Sequence, residues 1–386
     1  MVEKIGWIDR EIKSLKPIYE ISNLLVERSL ELARMGIGLV SPNPLVGCVI
    51  VSERGEIVGE GTYLYNEVIH AEAKALEQAG ERARGGTAYV SLEPHSHYGK
   101  TPPCTEALIK AGIRRVVAPI VDPNPLVSGK GFQHLREAGI EVVTGIRENE
   151  AAILNEKFIC WHKKKRPFVH LKLAASLDGR ISLNDTVSTA ISGSCAGKRV
   201  QLLRHEYDAI LIGGNTAVID DPALTDRSDL KRRRPLTRIV LDNRLRIELD
   251  SKLIETARAL PTLIFTNSTN QSKIEQLRSK GADVYESAMG GRDLSCVLDE
   301  LRRRELQSIL VEGGAEIAGS FVDAGLVDKV SFIFSPMIIG GREAPNAIGG
   351  MGAVDLKSTV RLTDIITSHH GDDIEITGYP VSGDGE

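Results

Sequence analysis

Aromatic residues are scarce: 2 Trp, 8 Tyr and 7 Phe make up 4% of 386 residues. So few rings disfavour an aromatic platform for stacking nucleic-acid bases. Charge of one sign is also lacking. Lys and Arg number 48 against 52 Asp and Glu, a formal net charge of −4, which weighs against a protein that as a whole binds nucleic acid or acidic membrane. The five cysteines, Cys48, Cys104, Cys160, Cys195 and Cys296, are odd in number and far apart. They suggest no disulfide framework and point to a reducing compartment. Apolar runs such as Leu45–Val51 fall well short of the roughly 20 residues a membrane-spanning helix needs. Met1–Lys16 mixes acids and bases without an apolar stretch, so no secretory signal is read there and a cytoplasmic protein is expected. No G-x-G-x-x-G fingerprint, internal repeat or low-complexity tract occurs.

What is present is ordinary for a globular chain: 42% hydrophobic and 26% charged residues. The 37 glycines favour an α/β protein rich in tight turns. The length suggests two or three domains. Ile21–Met35 carries a helical apolar stripe ending at Gly36. Leu45–Val51 and Ile57–Val58 flank Ser52-Glu53-Arg54-Gly55 and read as a hairpin. A helix over 70–79 follows. Then come strands at 87–92, 115–121 and 140–143, and helices at 105–111, 131–138 and 148–161. Such alternation implies a parallel or mixed sheet covered by helices. The stretch Lys163-Lys164-Lys165-Arg166-Pro167 reads as a linker. It separates a first domain over 21–162, preceded by an extension over 1–20, from a second domain over 168–386. Strand candidates in the second are 168–174, 209–212, 238–241, 262–265, 308–311 and 329–333. The basic run Lys231-Arg232-Arg233-Arg234 reads as a solvated loop, with a phosphate-facing loop as the alternative.

Two constellations carry chemistry. His70-Ala71-Glu72 opens a helix, and Glu93-Pro94-His95-Ser96-His97-Tyr98-Gly99-Lys100-Thr101-Pro102-Pro103-Cys104 follows. Zinc-dependent nucleobase deaminases pair H-x-E with a later cysteine segment. Catalytic zinc takes three protein ligands and leaves one position open for water. A carboxylate that is not a ligand then moves the proton from that water to the departing amine. His70 suits a ligand, Glu72 the shuttle, and Cys104 begins a helix whose dipole favours a thiolate. Cys48, inside an apolar strand, reads as a buried small hydrophobe.

Together with Ser41-Pro42-Asn43-Pro44-Leu45-Val46-Gly47 and Asp122-Pro123-Asn124-Pro125, these stretches resemble the deaminase half of the bifunctional riboflavin-biosynthesis deaminase/reductases. The resemblance implies a cytidine-deaminase-like α/β/α domain. It implies zinc on His70, His95 and Cys104, Glu72 as catalytic residue, and substrate contacts at Asn43, His97, Lys100, Asp122 and Asn124. His95 departs from the family, which has cysteine there. Imidazole is a sound zinc ligand, but a His/His/Cys site carries one more positive charge than His/Cys/Cys. His97 is the alternative third ligand.

In the second domain, Leu171-Lys172-Leu173-Ala174, then Gly213-Gly214-Asn215-Thr216 through Asp220, then Val240-Leu241-Asp242 and Leu310-Val311-Glu312-Gly313-Gly314 look like the reductase half of the same family. That half has a dihydrofolate-reductase-like α/β fold and uses NADPH. The implied catalytic residues are Lys172, Asp220 and Glu312. Implied cofactor contacts are Ala174, Ala190, Thr216, Asp220, Asn243, Gly314, Ala315, Glu316, Ile317, Ala318, Gly319 and Ser320. Implied substrate contacts are Ser188, Arg204, Leu224, Arg227 and Glu312. Ala190 stands where an aromatic residue is common, and Ala315-Glu316 where Pro-Thr is common. The expected chain therefore deaminates 2,5-diamino-6-ribosylamino-pyrimidinone 5′-phosphate, then reduces the ribosyl group of the product to ribityl. It is expected to act on small phosphorylated pyrimidines as a homo-oligomer, with no nucleic-acid or membrane partner. The competing readings are a reductase whose deaminase domain is degenerate at His95, and a nucleic-acid module on a deaminase fold.

Overall fold

The computed structural model describes residues 20–98, 102–187 and 189–381. The chain divides into two compact units, one ending at Lys165 and the other starting at Arg166. The extension read over 1–20 lies, save its last residue, outside the described residues.

The first unit opens with helix α1 over 20–34. Then come β1 (Gly47–Val51), β2 (Ile57–Thr62), α2 (Ala71–Ala79), β3 (Thr87–Val90), α3 (Cys104–Lys110), β4 (Arg115–Val117), α4 (Lys130–Glu137), β5 (Glu141–Val143), α5 (Glu148–Leu154) and α6 (Glu156–Lys163). The sheet order is β2-β1-β3-β4-β5. The β1–β2 hairpin and β1–β3 are antiparallel, the rest parallel. Alternation along β1 builds the three layers. Cys48 and Ile50 face the core under α2 and α3, while Val49 and Val51 face Val26 and Leu30 of α1 and Phe158 of α6.

The expected single helix over 148–161 is two helices broken at Asn155. Its buried side chain accepts from the Leu45 N–H at 2.9 Å and donates to the Leu45 carbonyl at 3.0 Å. These bonds tie the break to the Ser41–Leu45 segment.

The second unit runs β6 (Phe168–Ser176), α7 (Ser194–Glu206), β7 (Ala209–Gly213), α8 (Gly214–Asp220), β8 (Thr237–Leu241), α9 (Lys252–Glu255), β9 (Thr262–Thr266), α10 (Gln271–Ser279), β10 (Asp283–Glu286), α11 (Leu294–Arg303), β11 (Ser308–Val311), α12 (Ala315–Asp323), β12 (Lys329–Ser335), β13 (Arg361–His370) and β14 (Asp373–Val381). They form a sheet ordered β10-β9-β8-β7-β11-β6-β12-β14-β13. It is parallel from β10 to β12 and antiparallel at β14 and β13. Strands such as β7 and β9 are buried along their whole length, as parallel strands covered on both faces must be. The expected basic loop over 231–234 is not simply solvated. The Arg232 guanidinium donates to the carbonyls of Arg204, His205 and Tyr207 and to Asp226. Arg234 pairs with Asp208 at 3.0 Å. No helix among the described residues is long and apolar enough to cross a membrane.

Candidate active sites

In the first unit, close approach of a helix to a strand builds the site. A Cβ added at Gly59 or Gly61 would lie 2.0 or 2.1 Å from the carbonyl oxygens of Ala75 and Ala71. Glycines on β2 and alanines on α2 therefore let α2 lie directly on the sheet. This fixes its N-terminus, where His70 is the N-cap residue and Glu72 sits in the first turn. Cys104 starts α3 after Pro102-Pro103, and His95 lies in the loop after β3. The ligand atoms of His70, His95 and Cys104 all fall within 4.8 Å of one another. His97 is exposed, its ring 5.3 Å from that of His95, and it is not part of this cluster.

Burial dominates the electrostatics of this site. Burial lowers His95 to about 4, with His70 and His97 adding to the effect. Burial, then Glu72, pushes the Cys104 thiol well above its ordinary value, so the helix-start preference for a thiolate does not win by itself. Cys48 is raised the same way. Glu72 is 3% exposed, and its Oε2 has no hydrogen-bond partner. Two imidazoles and a thiol beside a buried carboxylate with an orphan oxygen are a donor set that fits zinc and its water.

Of the expected substrate residues, Asn43 donates to the Tyr63 hydroxyl at 2.6 Å. The Tyr63 ring in turn lies 5.4 Å from that of His70, a neighbour that the sequence reading missed. Asp122 is buried and accepts from the Asn124 N–H at 2.7 Å. Burial raises it to about 7, against the pull of that N–H, with Glu93 adding. Lys100 lies outside the described residues.

In the second unit, a cavity of about 800 Å³ opens at the carboxyl ends of β6, β7, β8 and β11, where open α/β sheets bind ligands. Lys172, Ala174, Ala190, Thr216, Asp220, Asn243, Glu312, Gly314, Ala315, Glu316 and Ile317 all line it. The glycine pairs give room for α12. A Cβ at Gly213 or at Gly313 would lie 2.7 Å from Ile317. The first turn of α12 can thus close over the ends of β7 and β11, presenting backbone N–H groups suited to phosphate.

Glu312 and Arg204 form a two-bonded pair at 2.9 and 3.0 Å. Burial opposes ionisation of Glu312, but Arg204 and then Lys172 outweigh it and hold the carboxyl below its usual value. Lys172 is pressed below its ordinary value by burial and by Arg204, with Glu312 and Glu375 opposing. No bond to its ammonium is seen among the described residues, and it faces the cavity.

Other expected residues lie elsewhere. Ala318 and Gly319 are buried in α12, with Gly319 against Gly349. Ser320 is exposed and bonds the Glu316 carbonyl. Leu224 is buried in a neighbouring core, and Arg227 is exposed with its N–H on Gln201. These five residues are not among those lining the cavity. Ser188 lies outside the described residues. Asn243 lines the cavity, but its side-chain oxygen accepts from the Gly291 N–H at 2.8 Å. The sequence reading missed Arg244, Arg246 and Arg292, which add cations to the cavity wall. A signal existed for the first two, since they directly follow a strand of a parallel sheet. Arg292 comes from a distant turn and had none.

Comparison with known proteins agrees with both halves. Residues 167–375 match the RibD C-terminal domain, and residues 20–120 match the cytidine and deoxycytidylate deaminase zinc-binding region. The chain is 41% identical to riboflavin biosynthesis protein RibD of Actinobacillus pleuropneumoniae, covering 90% of this chain and 93% of that one. It is 40% identical to RibD of Aquifex aeolicus, covering 93% and 98%. Among solved structures it is similar to Acinetobacter baumannii RibD, with a TM-score of 0.82 at 35% identity over 94% of this chain and 99% of that one. It is also similar to the diaminohydroxyphosphoribosylaminopyrimidine deaminase/5-amino-6-(5-phosphoribosylamino)uracil reductase of Thermotoga maritima. That match has a TM-score of 0.81 at 33% identity and the same coverage.

Proposed function

This chain belongs to the RibD family of bifunctional riboflavin-biosynthesis deaminase/reductases, and from that premise we propose which residues perform each step. The first domain deaminates 2,5-diamino-6-ribosylamino-pyrimidinone 5′-phosphate. His70, His95 and Cys104 hold zinc. The metal, when bound, acts as a Lewis acid that acidifies water and draws the thiol to its thiolate. Glu72 takes a proton from the attacking water and delivers it to the leaving amine nitrogen, so water enters and ammonia departs. Asn43, Asp122 and Asn124 orient the ring. Asp122, raised to about 7, serves as a hydrogen-bond donor in its protonated form.

The second domain reduces the ribosyl group of 5-amino-6-(5-phosphoribosylamino)uracil. NADPH, when bound, supplies the hydride. Lys172 holds a proton at the cavity wall for the sugar oxygen as the ring opens. Glu312, fixed by Arg204, orients the sugar hydroxyls, and Asp220 lines the same cavity. The N–H groups of Gly314–Ile317 and the guanidiniums of Arg244, Arg246 and Arg292 suit the phosphates. The same reading takes the protein as a cytoplasmic homo-oligomer acting on small phosphorylated pyrimidines, with neither nucleic acid nor membrane as partner.

The convergence of three ligand atoms beside the orphan Glu72 oxygen carries the deaminase reading against a degenerate first domain. Zinc content and ammonia release, measured in the native protein, His95→Cys and His95→Ala, test it. Native protein and His95→Cys are expected to hold about one zinc per chain and to release ammonia. His95→Ala is expected to lose both. Full activity in His95→Ala would remove His95 from the ligand set.

A further inference from the structure

A buried carboxylate between the two expected substrate-contact and metal-ligand segments has no role in the chemistry above. Glu93 is 3% exposed, and its bonds are to backbone. Oε2 accepts from the N–H of Asp122 at 3.0 Å and of Gly129 at 2.9 Å. Oε1 accepts from Gly131 at 2.9 Å and Phe132 at 3.1 Å, in the first turn of α4. The Glu93 N–H donates to the Ile120 carbonyl at 3.2 Å. One side chain thus gathers both ends of the 122–132 loop.

The same short segment reaches the metal-ligand side. The His95 carbonyl accepts the Thr105 N–H at 3.2 Å, next to Cys104. A Cβ on Gly131 would lie 1.9 Å from the Pro94 carbonyl oxygen, so the α4 start is pressed against the 93–95 backbone. Asp122 and Asn124 are tied to each other by local turn bonds. Glu93 ties that turn, through the Asp122 N–H, to the loop after β3 that carries His95.

We propose that Glu93 is a positioning residue for deamination: it clamps the Asp122–Asn124 loop at a fixed place relative to His95 and so sets pyrimidine binding. The proposal rests on the reading of Asp122 and Asn124 as substrate contacts. The chemistry of the clamp calls for a carboxylate. Two oxygens accept four N–H bonds, and those dipoles with the start of α4 offset the buried negative charge. An amide has one acceptor oxygen, and its NH2 would face two N–H donors. Glu93→Gln therefore releases half of the clamp, while Glu93→Asp keeps the charge but shortens the reach.

The test uses full-length protein, steady-state ammonia release, zinc content and NADPH oxidation on the deaminated substrate. Glu93→Gln is expected to raise the KM for deamination about tenfold or more, with a smaller fall in kcat. Zinc content and NADPH oxidation stay at the native level, and Glu93→Asp falls between. Asp122→Ala and Asn124→Ala raise the same KM, and combining either with Glu93→Gln gives less than the product of the single effects. If Glu93→Gln does not fold, Glu93→Asp carries the test through the same KM. A native KM in the Glu93 variants, alongside raised KM in Asp122→Ala and Asn124→Ala, overturns the clamp. Loss of zinc with unchanged KM also overturns it, by showing that Glu93 acts on the metal ligand. Native KM in Asp122→Ala and Asn124→Ala overturns the substrate-contact reading and the proposal with it.

Discussion

Replacing Glu72 by glutamine should move activity and stability in opposite directions. Glu72 is 3% exposed, and its Oε2 is without a hydrogen-bond partner. A positioned acid–base group contributes about 10²–10⁴ in rate. At about 1.4 kcal/mol per tenfold, loss of the shuttle should raise the deamination barrier by about 3–5 kcal/mol. The folded state gains by the same change. An unsatisfied buried polar atom costs about 1–3 kcal/mol, and more when charged. Glutamine keeps the shape and removes the charge. The first domain of Glu72→Gln should therefore unfold at equal or higher denaturant than the native protein, while ammonia release falls by at least about 10². Chemical unfolding of metal-stripped protein and steady-state ammonia release are the two assays. Parallel loss of stability and activity would mean that Glu72 is a structural residue, and unimpaired ammonia release would remove it from the proton path.

Three further outcomes follow from the charges. Asp122 has a folded pKa of about 7, above its unfolded value, so its favourable contribution is full below the unfolded pKa. That contribution is lost as pH rises towards 7. Relative to native protein, Asp122→Asn should thus gain in stability between about pH 4 and pH 8, as read by denaturant midpoints; a constant difference across that range would contradict the shift. Burial and Arg204 press Lys172 down, so the alkaline limb of NADPH oxidation should fall below the ordinary lysine range, and Lys172→Ala should abolish it along with most of the rate. A native rate in Lys172→Ala would contradict the assignment. Glu312→Gln leaves the Arg204 guanidinium with half of its pair and should cost reduction about tenfold or more, with ammonia release unchanged; equal effects on both activities would point to general misfolding.

Much of this was legible in the sequence where chemistry is local. His70 and Glu72 are two residues apart on one helix start, and Cys104 follows two prolines, so three of the four groups proposed for the first site announce themselves. Most of the parallel strands were readable as short apolar runs, because strands such as β7 and β9 are buried on both faces. The strands missed were those lacking that signal. β10 is short with exposed ends, β13 is largely exposed, and β14 contains Gly378 and Pro380, which disguise a strand.

Tertiary contacts hid the rest. The break at Asn155 depends on Leu45, more than a hundred residues away. Arg232 and Arg234 turn inward because carbonyls and acids from other segments await them. Arg204, expected as a substrate contact, is engaged by Glu312, a pairing that only the fold creates. Glu93 looked like part of a motif, and only the structure shows the four N–H groups around it.

The function proposed for this chain is that of two consecutive active sites, with His95 serving the first. It is tested most directly by supplying native, zinc-loaded protein with the diaminopyrimidine ribosylamine phosphate and NADPH, and counting ammonia and NADPH consumed together. Both are expected to proceed, with one NADPH oxidised for each ammonia released once the intermediate reaches steady state. NADPH oxidation on the pre-deaminated substrate, with no ammonia from the diamino substrate, would contradict it.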